Sequence, residues 1–109
     1  MRNYLNSISI DLMKSFSYEK VLELSNTAKM LSSQMRITIV LLLSQQKKAR
    51  LTASDLAQEC STTIFNISQH TNKLERSGYI MKSKSGSYTY HSLTPSGWKL
   101  AKIVERYCK

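Results

Sequence analysis

Apolar positions recur every three and four residues along most of this chain, and the period drops to two in one region near residues 79–93. The longer period predicts helices. "SYEKVLELSNTAKML" puts Val21, Leu24, Ala28 and Leu31 on one stripe. "SSQMRITIVLLLSQQ" is densely apolar, the mark of a helix at the centre of a core. "KKAR" then reads as a basic, solvated connection. In "LTASDLAQEC", Thr52 and Asp55 have capping-box spacing, in which each side chain satisfies an orphan amide at a helix start. Ala53, Leu56, Ala57 and Cys60 follow as the buried face of a short helix. Thr62 or Thr63 can cap the next helix, which buries Ile64, Ile67, Thr71 and Leu74 and stops at Gly78.

The shorter period follows at once. "YIMKSK", "SGS" and "YTYHSL" predict strand, turn and strand, with Gly86 permitting the tight turn. Thr94 and Pro95 then suit the start of a last helix, whose Leu100, Ile103, Val104 and Tyr107 form a stripe. Two short helices joined by a turn make a helix-turn-helix, and a hairpin directly after it is a wing. The expected fold is mainly α with a small β-hairpin. Residues 17–109 form a single winged helix-turn-helix domain, with the helix-turn-helix at 52–78, the wing at 79–93 and a C-terminal helix at 95–108. Residues 1–16 carry Leu5, Ile8, Leu12 and Phe16 at helical spacing and read as an amphipathic extension.

Charge changes the picture most. Against 16 Lys and Arg stand 7 Asp and Glu, a formal net charge of +9, so the expected partner is a polyanion. Nucleic acid comes first and a membrane surface second. The longest apolar run, Ile37 to Leu43, is far too short to span a bilayer. The N-terminus lacks the uninterrupted apolar core of a signal peptide, so a cytoplasmic, nucleoid-associated location is expected. Two cysteines, Cys60 and Cys108, make no spacing motif and imply no disulfide framework. No phosphate-cradling glycine loop or nucleophile elbow is present, so no enzyme activity is expected.

On a wheel centred on Ile67 and Leu74, the opposite face of the second short helix carries Phe65, Gln69, Asn72 and Arg76, flanked by Asn66, Ser68 and Lys73. A helix fits the major groove of double-stranded DNA, where Gln and Asn can pair with adenine and an aromatic can press on a thymine methyl. An ordinary solvated face would carry Glu and Lys in place of these amides and hydroxyls, and it leaves Phe65 unexplained. Thr63 and His70 belong to the same candidate DNA-binding set. Lys82 and Lys84 alternate along the first wing strand, as contacts to a phosphate backbone would.

"LSSQMRITIVLLL", "LTASDLAQEC", "TTIFNISQHTNKLERSGYI" and "KSGSYTYHSL", in this order, resemble the ArsR-type (arsenical-resistance repressor) winged-helix regulators over about residues 28–94. Arg36, the run Ser68-Gln69-His70, Leu74, Gly78 and Gly86 carry the likeness. "SLTPSGWKLAKIVERY" is also similar to the end of MarR-type winged helices. The resemblance implies a homodimeric transcription factor, usually a repressor, reading inverted-repeat half-sites. It implies pairing through the first and last helices, with Val21, Leu24, Ala28, Leu100, Ile103, Val104 and Tyr107 as candidate interface residues. Thr71 stands where the family usually has leucine, and Ile64 and Phe65 replace small polar residues.

Where the family places a metal-sensing cysteine pair, this chain reads "LTASDLA", and the last helix offers only Glu105 for the family's other metal site. No metal and no cofactor are therefore expected. Three alternatives stay open. One is a thiol switch using Cys60 and Cys108. Another is a protein-interaction module docking through Phe65. The third, peripheral membrane binding, is disfavoured because residues 1–16 hold only Arg2 and Lys14 as cations. The operator and any small-molecule effector stay unknown.

Overall fold

A computed structural model of the chain describes residues 14–45 and 50–109. Of the predicted N-terminal extension, Leu5, Ile8 and Leu12 lie outside the described residues, as do Lys47 and Lys48 of the basic connection. Phe16 is described and is exposed.

Helix α1 spans Tyr18–Met30 and starts where the Ser17 side chain accepts from the Lys20 amide. None of its residues is buried, and Val21, Leu24 and Ala28 of its apolar stripe are exposed. Helix α2, Gln34–Gln45, is the central helix that its apolar density predicts, burying Arg36, Ile39, Val40 and Leu43. Strand β1, Arg50–Thr52, comes next. Helix α3, Ala53–Glu59, opens on the complete Thr52–Asp55 capping box. Helix α4, Ile64–Arg76, is capped by Thr63. Strands β2, Ile80–Ser85, and β3, Tyr88–Leu93, form the hairpin, and helix α5, Pro95–Cys108, closes the domain.

The sheet holds one strand more than the predicted hairpin. β1 pairs antiparallel with β3, giving the order β1-β3-β2. Arg50, expected in a solvated connection, is therefore a strand residue opposite Ser92. Three residues carry too weak an alternation to announce a strand. What fixes β1 is the free edge of β3, whose backbone donors and acceptors need partners.

The ends of α3 and α4 use the same Schellman geometry. At α3, Ser61 N donates to Gln58 O and Thr62 N to Ala57 O. At α4, Gly78 N donates to Glu75 O and Tyr79 N to Leu74 O. Each motif needs a left-handed residue: Gly78 at φ +83° and, against type, Ser61 at φ +52°. These stops set the turn of the helix-turn-helix and the entry to the wing. The wing turn has Gly86 at φ +63° in its first position, as a type II′ hairpin requires.

The core joins α2, α3, α4, the base of the hairpin and α5 through Ile39, Val40, Leu43, Leu56, Ile67, Leu74, Ile80, Leu93, Leu100 and Val104. The α5 stripe divides here. Leu100 and Val104 are 3% and 5% exposed, so they belong to the core of this chain and leave almost no surface for an interface. Ile103 and Tyr107 remain 64% and 91% exposed. The correction has a simple cause: α5 packs on α2 along Leu100, Ala101 and Val104, which turns Ile103 outward. Gly97 is needed where α5 starts against the base of the wing, because a Cβ there would strike the Tyr79 carbonyl oxygen. Thr94 fastens the same corner: it caps α5, bonds the Gly78 carbonyl through Oγ1, and donates its amide to Tyr79 O.

Candidate nucleic-acid interface

Helix α4 turns its two faces to different surroundings. Ile67, Thr71 and Leu74 are buried, while Phe65, Gln69, Asn72, Lys73 and Arg76 are exposed. Thr71, in the place of a leucine, is fully buried yet satisfied, because its hydroxyl donates to Ser68 O at 3.3 Å. Ile64 departs from expectation. It is 53% exposed at the first position of α4, whereas Ile67, three residues on, is fully buried.

That first turn is locked from within. Thr63 Oγ1 accepts from the Asn66 amide at 3.0 Å, and Asn66 Nδ2 donates to Thr62 Oγ1 at 3.0 Å. Thr63, through Oγ1, and the half-buried Asn66, through Nδ2, both candidate DNA contacts, thus spend part of their hydrogen-bonding capacity within this turn. Ser68 is also half-buried. Phe65, by contrast, is 72% exposed at the leading end of the Gln69 face.

Three more of the expected DNA contacts are engaged within the chain. Lys82 Nζ donates to Asn72 Oδ1 and stands 3.7 Å from Glu75 Oε1. Lys82 shares the face of β2 that begins with buried Ile80, so it turns toward α4 and not along an outside backbone. Asn72 keeps both amide donors and one lone pair of Oδ1 free for a base. Lys84, two residues on, is exposed by the wing turn.

His70 is the third. Arg36 lies buried in α2, and its Nη1 donates to His70 Nδ1 at 3.2 Å. The same guanidinium donates from Nε to Met30 O at 2.9 Å and from Nη2 to Lys29 O at 3.1 Å. One arginine therefore ties the end of α1 to the middle of α4. Arginine has no acceptor, so His70 Nδ1 must be unprotonated in this contact. Burial, then Arg36 and Lys73, hold the His70 pKa below its ordinary value. The sequence marks Arg36 as a family-like residue but holds no sign of its partner, which lies 34 residues away.

The outer face of the sheet carries further cationic and aromatic groups. Arg50 sits over the Tyr90 ring at 4.3 Å, and Tyr90 lies 6.2 Å from exposed Tyr88. Arg50 escaped the sequence-based set because its strand did. His91 is buried, and its Nδ1–H donates to Leu51 O at 3.0 Å, so it joins β3 to β1 and does not reach out of the wing. Burial is the main cause holding its pKa low.

The thiols stand apart. Cys60 is half-buried against the core, and burial, with Glu59 beside it, pushes its pKa up, which makes it less reactive. Cys108 is exposed at the end of α5. Among the described residues no three His, Cys, Asp or Glu side chains converge as metal ligands do, and no helix is long and apolar enough to cross a membrane.

The α1 side offers a second surface. Tyr79 OH and Thr27 Oγ1 share a hydrogen bond of 2.9 Å, and Ser77 Oγ donates to Met30 Sδ at 3.3 Å, so the C-terminal end of α1 is tied to the wing base. Further up, Val21 and Leu24 are 37% and 69% exposed, and Ala28 is exposed too. The candidate interface residues left on the surface are thus Val21, Leu24, Ala28, Ile103 and Tyr107.

Residues 37–81, which run from α2 through α3 and α4 into β2, match the family model described as winged helix-turn-helix DNA-binding. No curated protein matches the chain in sequence. Solved structures match it over most of its length. HlyU from Vibrio cholerae superposes with a TM-score of 0.73 at 18% identity, covering 85% of this chain and all of the other, 100%. The transcriptional repressor BigR from Xylella fastidiosa gives 0.71 at 21% identity, over 91% and 92% of the two chains. The adhesin competence repressor AdcR from Streptococcus pyogenes gives 0.63 at 24% identity, over 82% and 70%. At these identities the likeness is one of architecture, and the architecture is a winged helix-turn-helix.

Proposed function

We propose that this chain is a sequence-specific regulator of transcription that binds double-stranded DNA as a homodimer, works in the cytoplasm at the nucleoid, and has no enzymatic role. The observation that carries this is the outward face of α4. It presents Phe65, Gln69, Lys73 and Arg76 on the solvent side of a helix whose other side, Ile67, Thr71 and Leu74, is buried in the core and whose ends are set by the Thr63 cap and the Gly78 stop. A helix so presented fits the major groove, and the net charge of +9 suits a phosphate backbone. Repression by occluding a promoter is the mode proposed, and two of the structural neighbours are themselves named repressors. The ArsR-type assignment is kept on the motifs around Arg36 and Ser68-Gln69-His70, with MarR-type as the near alternative.

In this proposal α1 and the outer side of α5 meet the same helices of a second protomer. Ile103, Tyr107, Val21 and Leu24 are large, apolar and exposed, and dimer contact removes them from water. A two-fold dimer then places two α4 helices about one turn of DNA apart. The decisive experiment selects bound sequences from random duplex DNA, with and without reductant and divalent metal. An inverted-repeat motif bound in a salt-sensitive way is expected. Absence of any preferred sequence, with binding to a protein partner through Phe65, would favour an interaction module.

A further inference from the structure

We infer that Ile64 and Phe65 form an apolar edge that recognises the C5-methyl groups of pyrimidines in the major groove. This rests on α4 being the DNA-reading helix and says what that helix reads. Both side chains are exposed, at 53% and 72%, in a protomer whose other aliphatic residues of α4 are buried. They occupy the first two positions of the helix, and the Thr63 cap with the Asn66–Thr62 bond holds that turn rigid. The edge is therefore presented ready-made, with little ordering cost on binding.

The surroundings choose the occupant. Phe65 leads the same face as Gln69, one turn on, and the face ends in Arg76, with Lys73 beside it. An apolar protein groove would meet these cations and amides as unpaired groups, whereas duplex DNA offers phosphates to the cations and base edges to the amides. In the major groove the apolar groups on base edges are the methyls of thymine and of 5-methylcytosine. Gln69 can pair with adenine N6 and N7, so an adenine about one or two base pairs from the contacted methyl completes the pattern, the roughly 5.4 Å rise of one turn of α4 spanning no more. Ile64, about 100° round the helix from Phe65, covers the neighbouring pyrimidine.

The test uses the full chain and the duplex motif recovered by selection. Thymines are replaced one at a time by uracil, which deletes the methyl and leaves the hydrogen-bonding edge unchanged. Wild-type affinity is expected to fall about fourfold at a contacted position, the factor that burial of one methyl-sized group gives. Phe65→Ala is expected to bind the thymine probe more weakly and to make no distinction between thymine and uracil there. Placing 5-methylcytosine against cytosine at that position tells whether the methyl of either base is accepted. Phe65→Ala and Ile64→Ala both alter exposed side chains, and circular dichroism checks their fold. Equal wild-type affinity for thymine and uracil probes at every position overturns the inference and leaves DNA reading intact, and so does thymine preference that survives in Phe65→Ala and Ile64→Ala together. A chain with no preferred duplex at all overturns the proposed function itself, and this inference with it.

Discussion

Arg36 and His70 meet across the interior, with the Arg36 Nη1 group donating to His70 Nδ1 at 3.2 Å. The contact is possible only while the imidazole is neutral. Protonation would set two cations against each other and remove the acceptor. His70 and His91 both have pKa values held below the ordinary 6.5, chiefly by burial. Between the folded value and the unfolded one, the unfolded chain binds more protons, so stability rises with pH there. The stability these histidines supply is complete above pH 6.5 and is lost as the pH falls through their lowered folded values. Urea unfolding at pH 7.5 and at stepwise lower pH should show this loss, and His70→Gln should reduce it. An unchanged urea midpoint down to pH 5 would contradict the assignment. Arg36→Met should cost about 2–4 kcal/mol at neutral pH, because the carbonyls of Lys29 and Met30 lose their donors.

Ser61 and Gly78 play one role with different residues. Both stand in the left-handed position of a Schellman motif, at φ +52° and +83°. Ser61→Gly should therefore stabilise the domain by about 0.5–1 kcal/mol, and Gly78→Ala should destabilise it by about 1 kcal/mol. Denaturant midpoints at constant m-value check both. A destabilised Ser61→Gly would show that the serine side chain supplies more than its strain removes.

Leu100 and Ile103 lie three residues apart on α5 and should fail in opposite ways. Leu100→Ala hollows the core and should cost about 2–5 kcal/mol of stability. Ile103→Glu alters an exposed position, so the protomer should stay folded while the dimer dissociates. Sedimentation of wild type and variant at micromolar concentration, beside thermal unfolding, measures both effects. A wild type that sediments as a monomer removes the proposed interface.

Gln69 and Lys84 separate sequence reading from positioning. Gln69→Ala should cost about 1–3 kcal/mol on the preferred site and relax preference at one base pair per half-site. Lys84→Ala, beside the wing turn, should weaken preferred and scrambled sites alike. It should also flatten the log-affinity against log-salt slope by about one unit per lost phosphate contact, twice that for a dimer. Lys82→Ala should behave differently, since Lys82 is bound to Asn72 and stands near Glu75. Its loss frees the Asn72 carbonyl oxygen and should change preference near that residue. A change of preference in Lys84→Ala, or equal weakening on both sites in Gln69→Ala, would remove α4 as the reader.

What the sequence determined by itself is local and periodic. The capping box of Thr52 and Asp55, the Thr63 cap, the stop at Gly78, the turn at Gly86 and the Thr94-Pro95 start depend on neighbours within a few residues, so spacing is enough to announce them. The outward face of α4 was legible for the same reason, because one helix has one period. The tertiary structure decided everything that needs a distant partner. β1 exists because β3 has an open edge, and three residues hold no period to display. The α5 stripe splits because α2 covers Leu100 and Val104 and leaves Ile103 and Tyr107 in water. Ile64 repeats the helical rhythm yet is left 53% exposed at the first position of α4. His70, Asn72 and Lys82 look alike in sequence, as polar residues free to reach DNA. Only packing shows that Arg36 holds the first and that the other two hold each other, since hydrogen bonds between residues 10 and 34 positions apart leave no trace in local order.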